Sequence, residues 1–113
     1  MEPVQKAKRY LSVYRELKKR LDRAGSDIEQ LIGDPANKER IAFIQNKIRE
    51  WLELCYEIED TVNRLPALEK TVIRYRYLLN IPWADICEII YDDPELISTV
   101  HRRALNRIYE SIK

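Results

Sequence analysis

Residues 82–113 read PWADICEIIYDDPELISTVHRRALNRIYESIK and hold two helical registers with a break between them. Trp83, Ile86, Cys87 and Ile90 recur at steps of three and four, as on one face of a helix, which predicts a short helix over 82–90. Tyr91-Asp92-Asp93-Pro94 interrupts that register. Asp93 is a capping residue type and Pro94 suits the first turn of a new helix. Ile97, Val100, Ala104, Ile108 and Ile112 then predict a longer helix over 94–112. A short apolar helix, a tight turn and a longer amphipathic helix form the pattern of a helix-turn-helix.

That pattern makes two physical demands. The first helix must be nearly all core, and the second must keep a polar face free to enter a major groove. With the aliphatic positions turned inward, Glu95, Leu96, Ser98, Thr99, Arg102, Arg103 and Asn106 fall on the outer face of the last helix. Hydroxyls, guanidinium groups and an amide are the residue types that read base edges or grip phosphates. Residues 98–113 carry four basic groups (Arg102, Arg103, Arg107, Lys113) against Glu110, a local net of +3 inside a chain whose net charge is only +1. Three acids, Asp92, Asp93 and Glu95, lie at the start of this helix, where they would oppose a phosphate backbone. Asp93 is explained as a cap, whereas Asp92 has no such role in the sequence. Leu96 fits either a thymine-methyl contact or a cap contact. His101 has no partner that would make it a ligand or a catalyst and is assigned to packing.

Upstream, Leu68, Val72, Ile73, Tyr75/Arg76 and Leu78/Leu79 predict a helix over 66–79, ended by Asn80-Ile81-Pro82. Tyr75 and Tyr77 are assigned to packing, and so are Trp51 and Trp83. Ile41, Ile44, Ile48, Trp51/Leu52, Cys55, Ile58, Val62 and Leu65 predict a helix over 35–64. Before it, Gly33 suits a left-handed helix end, with Asp34 as cap and Pro35 in the first turn. A first stripe, from Val4 through Leu11, Leu17 and Ile28 to Leu31, predicts a helix over 3–32. Gly25 weakens that helix by about 1 kcal/mol relative to alanine. Ser26-Asp27-Ile28-Glu29 also reads as a capping box that could restart it, but the stripe keeps its phase across the glycine, which favours one bent or frayed helix. The short connection makes the first two helices antiparallel neighbours. Residues 1–24 hold eight basic and three acidic residues, a net of +5, and residues 25–64 hold five basic and nine acidic, a net of −4. Attraction between the two helices, or a solvated basic face, is therefore expected; the functional alternative is that the basic face of the first helix meets phosphates.

Composition excludes several classes. Hydrophobic residues form 45% of the 113-residue chain, enough for a core, so wholesale disorder is excluded. Two glycines leave little material for a phosphate-cradling loop or an all-β sandwich. One histidine and two widely separated cysteines, Cys55 and Cys87, give no metal-ligand spacing, and both thiols fall on apolar registers. There is no nucleophile–base pair, so no enzyme activity, metal or cofactor is assigned. No apolar run reaches the length of a membrane span and the first residues lack the core of a signal peptide, so a cytoplasmic protein is expected.

Leu65-Pro66, Val72-Ile73-Arg74-Tyr75-Arg76-Tyr77, Trp83-Ala84-Asp85-Ile86-Cys87 and His101-Arg102-Arg103-Ala104-Leu105 follow, in order, a pattern that resembles region 4 of bacterial sigma factors. It is more similar still to the small phage regulators of late genes of the ArpU/RinA type, which also carry a long helical N-terminal part. The resemblance covers 65–113, and residues 1–64 share only helical character. The chain departs from the family in the turn, where Tyr91-Asp92-Asp93 replaces the usual Gly, apolar residue and Ser.

The fold expected is all-α: a long antiparallel helical hairpin over 1–64, for oligomerisation or partner contact, followed by a trihelical helix-turn-helix domain over 65–113. The resemblance implies a sequence-specific transcription regulator, phage-derived, that binds double-stranded DNA with its last helix. By position it implies DNA contacts at Ser98, Thr99, Arg102 and Arg103, and the residues of the last helix add Asn106 and Arg107 to the expected site. Ser98, Thr99 and Arg102 would read bases, while Arg103, Arg107 and Arg74 would hold phosphates. So few cations on one helix bind weakly, which calls for a homodimer or a second partner such as RNA polymerase. The other class that fits is a helical protein-interaction module, such as a phage packaging or polymerase-modulating subunit.

Overall fold

A computed structural model describes residues 2–90 and 92–113, so Tyr91, part of the expected turn, lies outside the described residues. The apolar stripe of the N-terminal segment forms one helix, α1 (Pro3–Leu31), which continues without a break through Gly25. The Ser26–Glu29 capping box goes unused, because the turn before it already accepts those N–H groups. Gly33 takes φ +100°, the left-handed conformation open to glycine, and turns the chain. Asp34 then accepts a hydrogen bond from the backbone N–H of Ala36 at 3.0 Å, as a cap should. It caps a short 3₁₀ turn, Pro35–Asn37, and α2 (Lys38–Asn63) begins only after it. The turn is tied back to α1 by the Asn37 amide, which donates to the Leu31 carbonyl at 3.0 Å.

α3 (Ala67–Ile73) does not continue as an α-helix to residue 79. Residues Arg74–Leu78 widen into a π-helical turn, in which the Leu79 N–H donates to the Arg74 carbonyl five residues back at 2.9 Å. α4 (Trp83–Ile90) and α5 (Pro94–Ile112) follow as expected. Asp93 caps α5 by accepting from the Glu95 N–H at 3.0 Å. Asp92, unexplained by the sequence, accepts from the Asp93 N–H at 2.8 Å and so sets the entry to the cap. The described residues are all-α, with no strand among them.

Two apolar clusters hold the helices together. The larger joins Ala7, Leu11, Tyr14 and Leu17 of α1, Cys55, Ile58 and Val62 of α2, Ile73 of α3, and Ala104, Leu105 and Ile108 of α5. The smaller is the centre of the trihelical unit: Val72, Ile86, Ile97 and Val100, edged by Tyr75, Ile81, Trp83, Cys87 and Ile90. α1 therefore packs against α2 along the hairpin and against α5 and the π-helical turn at its base. Leu105 is 1% exposed, although it lies off the aliphatic row read from the sequence. The contact with α1 widens the buried face of α5.

The charge attraction expected between α1 and α2 is not made through ion pairs. Among the described residues the exposed pairs lie within single helices: Glu16–Lys19, Lys47–Glu50, Asp60–Arg64 and Glu110–Lys113. Two tyrosine hydroxyls cross the hairpin instead. Tyr10 shares a hydrogen bond with Thr61 at 3.1 Å, and Tyr14 donates to Glu59 at 3.0 Å. Burial, then the Glu59 carboxylate, pushes the Tyr14 phenol well above its usual range. Beyond this region the hairpin is two helices alone. Leu21, Ile28, Ile41, Ile44, Ile48 and Trp51 stay half-buried there, and Ile32 and Phe43 are 69% and 64% exposed. No helix of the described residues is long and apolar enough to cross a membrane.

Candidate nucleic-acid interface

α5 places the expected site residues by its register. Ile97, Val100, Ala104, Leu105 and Ile108 are buried, so the opposite face is turned out of the molecule. Ser98, Thr99, Arg102, Arg103, Asn106 and Arg107 are all exposed. Ser98, Thr99, Arg102 and Asn106 fall three and four residues apart and share one strip. Arg103 lies beside that strip and Arg107 further round. Neither Arg102 nor Arg103 is paired with a carboxylate among the described residues. Thr99 donates its hydroxyl to the Glu95 carbonyl at 3.0 Å, which fixes its rotamer and leaves its oxygen open as an acceptor.

Arg107 is committed differently. Its Nε donates to Glu69 Oε2 at 3.2 Å and lies 2.9 Å from Oε1, and the Glu69 side chain is 7% exposed against 55% for Arg107. Arg107 thus compensates a buried carboxylate and ties α5 to α3, a role nothing in the spacing of the sequence reveals. Arg74 is also engaged, donating to Asn63 Oδ1 at 3.1 Å. Both residues still reach the surface, but each has a partner within the fold.

An aromatic layer supports the start of α5. Tyr77 OH and His101 Nε2 share a hydrogen bond at 2.8 Å, and their rings stack at 5.7 Å. Trp83 meets the His101 ring edge-on at 4.6 Å, and the Arg76 guanidinium lies 5.2 Å from the Trp83 ring centre. Burial, then the charges of Lys8 and Arg76, push the His101 pKa down to about 4, so the ring is neutral at ordinary pH. It is the packing residue its isolation in the sequence suggests. An apolar cleft of about 280 Å³ opens between α4 and α5 beside Trp83, Cys87, Ser98 and His101. Both cysteines are free thiols, Cys55 buried and Cys87 half-buried.

Three cations outside α5 lie close to this layer: Arg15 and Lys19 of α1, part of the basic excess of the first 24 residues, and Arg76 of the stretch that carries the family resemblance. The four-residue spacing of Arg15 and Lys19 puts them on one face of α1. Arg76, on the π-helical turn, lines one cleft with them. Among the described residues no group of three or more His, Cys, Asp or Glu is placed to hold a metal ion. Comparison with protein-family models, with curated proteins and with solved structures finds no match.

Proposed function

We propose that the chain is a sequence-specific, double-stranded-DNA-binding transcription regulator of the sigma region 4-like, phage late-gene kind, with α5 entering the major groove. The observation that carries the reading is the open polar strip of α5. Its hydroxyls, amide and two guanidinium groups face outward, and among the described residues no carboxylate pairs with Arg102 or Arg103. Ser98, Thr99, Arg102 and Asn106 are the base-reading set, and Arg103 holds the backbone. A bidentate arginine contact to guanine discriminates by about 1–3 kcal/mol. Fluorescence anisotropy with duplexes from the region flanking its own gene tests this. Arg102→Ala should lower affinity for the preferred duplex by about 1–3 kcal/mol and erase preference over a scrambled one. Unchanged affinity and preference in that variant would sink the reading.

A homodimer completes it. One short strip of α5 gives weak binding alone, and the outer half of the hairpin exposes Ile32 and Phe43 beside a half-buried stripe. That exposed apolar end also favours a second reading, a helical protein-interaction module, with RNA polymerase among the partners of that class. Light scattering together with anisotropy separates the two. A defined oligomer whose duplex binding does not change with salt belongs to the second.

A further inference from the structure

A cleft of about 310 Å³ lies between α1 and the π-helical turn, lined by Ser12, Arg15, Glu16, Lys19, Arg76 and Tyr77. Three of these are cations and one is a carboxylate. The two guanidinium groups are held by neutral partners. Arg15 donates to the side-chain oxygen of Asn80, a residue that itself takes a positive φ of 57°. Arg76 donates to the Ile81 carbonyl at 3.4 Å and rests against the Trp83 ring. Among the described residues no carboxylate pairs with either guanidinium, so both charges are positioned without being cancelled. Lys19 approaches Glu16 only loosely, at 3.8 Å, with both side chains largely in solvent.

Two forked guanidinium donors and an exposed ammonium suit a tetrahedral oxyanion with several acceptor atoms and at least one full negative charge. The cleft is linked to the start of α5 through the aromatic layer. Tyr77, on its wall, bonds to His101, and Arg76 lies over Trp83. Trp83 and His101 together line the neighbouring cleft that ends at Ser98. One aromatic layer therefore separates Arg76 from Ser98.

We propose that the Arg15–Lys19–Arg76 cleft is a phosphate-binding site, and that in the DNA complex it takes a backbone phosphodiester flanking the base pairs faced by α5. The first half stands on the cleft alone, and the second rests on the DNA reading above. The cation excess of α1 then has a use that pairing with α2 does not supply. A duplex crossing from α5 to α1 is gripped at two places, which offsets the small number of cations on α5.

The experiment compares wild type with the exposed-residue variant Arg15→Ala/Lys19→Ala, with helicity checked by circular dichroism. Duplex affinity is measured against salt, and inorganic pyrophosphate is titrated while the arginine side-chain N–H resonances are followed. The expected result is a slope of log K against log salt that is shallower by about 1 in the variant, with preference for the chosen duplex unchanged. Glu16→Gln should move affinity the other way, tightening it. Pyrophosphate should shift arginine resonances in wild type and not in the double variant. If pyrophosphate does so but duplex binding is indifferent to the variant, the site is real and its ligand is a free phosphate compound rather than DNA. If neither probe responds, the proposal is overturned, while the α5 reading stands provided Arg102→Ala loses preference. If wild type binds no duplex, the α5 reading fails and the pyrophosphate arm alone decides the cleft.

Discussion

His101 shares a hydrogen bond with Tyr77 and meets the edge of Trp83, and its folded pKa of about 4 lies below the 6.5 expected of an exposed ring. A histidine kept neutral by burial favours folding only while the unfolded chain is also neutral there. Above pH 6.5 neither state binds the proton and the full contribution is present. As pH falls through 6.5 towards 4 the unfolded chain takes a proton that the folded chain refuses, and stability is lost. The thermal midpoint of wild type should therefore drop between pH 7 and pH 4.5 by more than that of His101→Gln. The difference between the two proteins isolates this residue from the carboxylates, which titrate in both. Equal pH profiles would mean that the ring is hydrated in solution.

At the scale of elements, α5 is fastened at its start by Asp93 and across its middle by Arg107. Asp93→Ala removes the acceptor for the Glu95 N–H and should cost about 1 kcal/mol in denaturant unfolding, without changing duplex preference. Arg107→Ala leaves the Glu69 carboxylate buried without its counter-charge and should destabilise the chain by about 1–3 kcal/mol. Arg107→Ala/Glu69→Leu should recover most of that loss, because no unpaired charge remains. A residue that served DNA alone would show neither the loss nor the recovery. These fasteners also mark what the sequence makes legible. Asp93 and Asp34 announce themselves as caps, because capping is a local transaction between neighbours in the chain. The helices announce themselves by the three- and four-residue steps of their apolar rows, and α1 survives Gly25 because its row keeps phase. The Glu69–Arg107 pair joins residues 38 apart, and no local pattern encodes it. The π-helical turn is equally hidden, since one extra residue per turn leaves the apolar row readable as an ordinary helix. Leu105 lies outside the aliphatic row of α5 for a related reason: its burial is imposed by α1, which contacts α5 only in the folded chain. The outward strip from Ser98 to Asn106 follows from the register of α5, whereas the Arg15–Lys19–Arg76 cleft depends on two elements meeting.

For the whole molecule, the larger cluster runs from Leu11 through Ile58 and Ile73 to Leu105 and Ile108, across the junction between the hairpin and the trihelical unit. Leu11 and Ile108 are both 0% exposed, so neither part could be separated without uncovering core side chains. A core shared in this way couples the two parts, because loss of packing on one side uncovers apolar surface on the other. The two tryptophans report on the parts separately: Trp51 lies on α2 and Trp83 on α4. In Trp83→Phe the fluorescence follows the hairpin, and in Trp51→Phe it follows the trihelical unit. Each denaturation midpoint should coincide with the helicity midpoint of the same variant. Leu11→Ala should lower stability by about 2–5 kcal/mol and shift both fluorescence transitions together. A Trp83 signal that stays put while the Trp51 signal moves would mean that α5 keeps its fold without α1. The shared core would then contribute nothing to holding the outward polar strip of α5. Coincident transitions would mean instead that the hairpin and α5 unfold as one unit, so that packing lost anywhere along α1 is felt at the outward polar strip of α5.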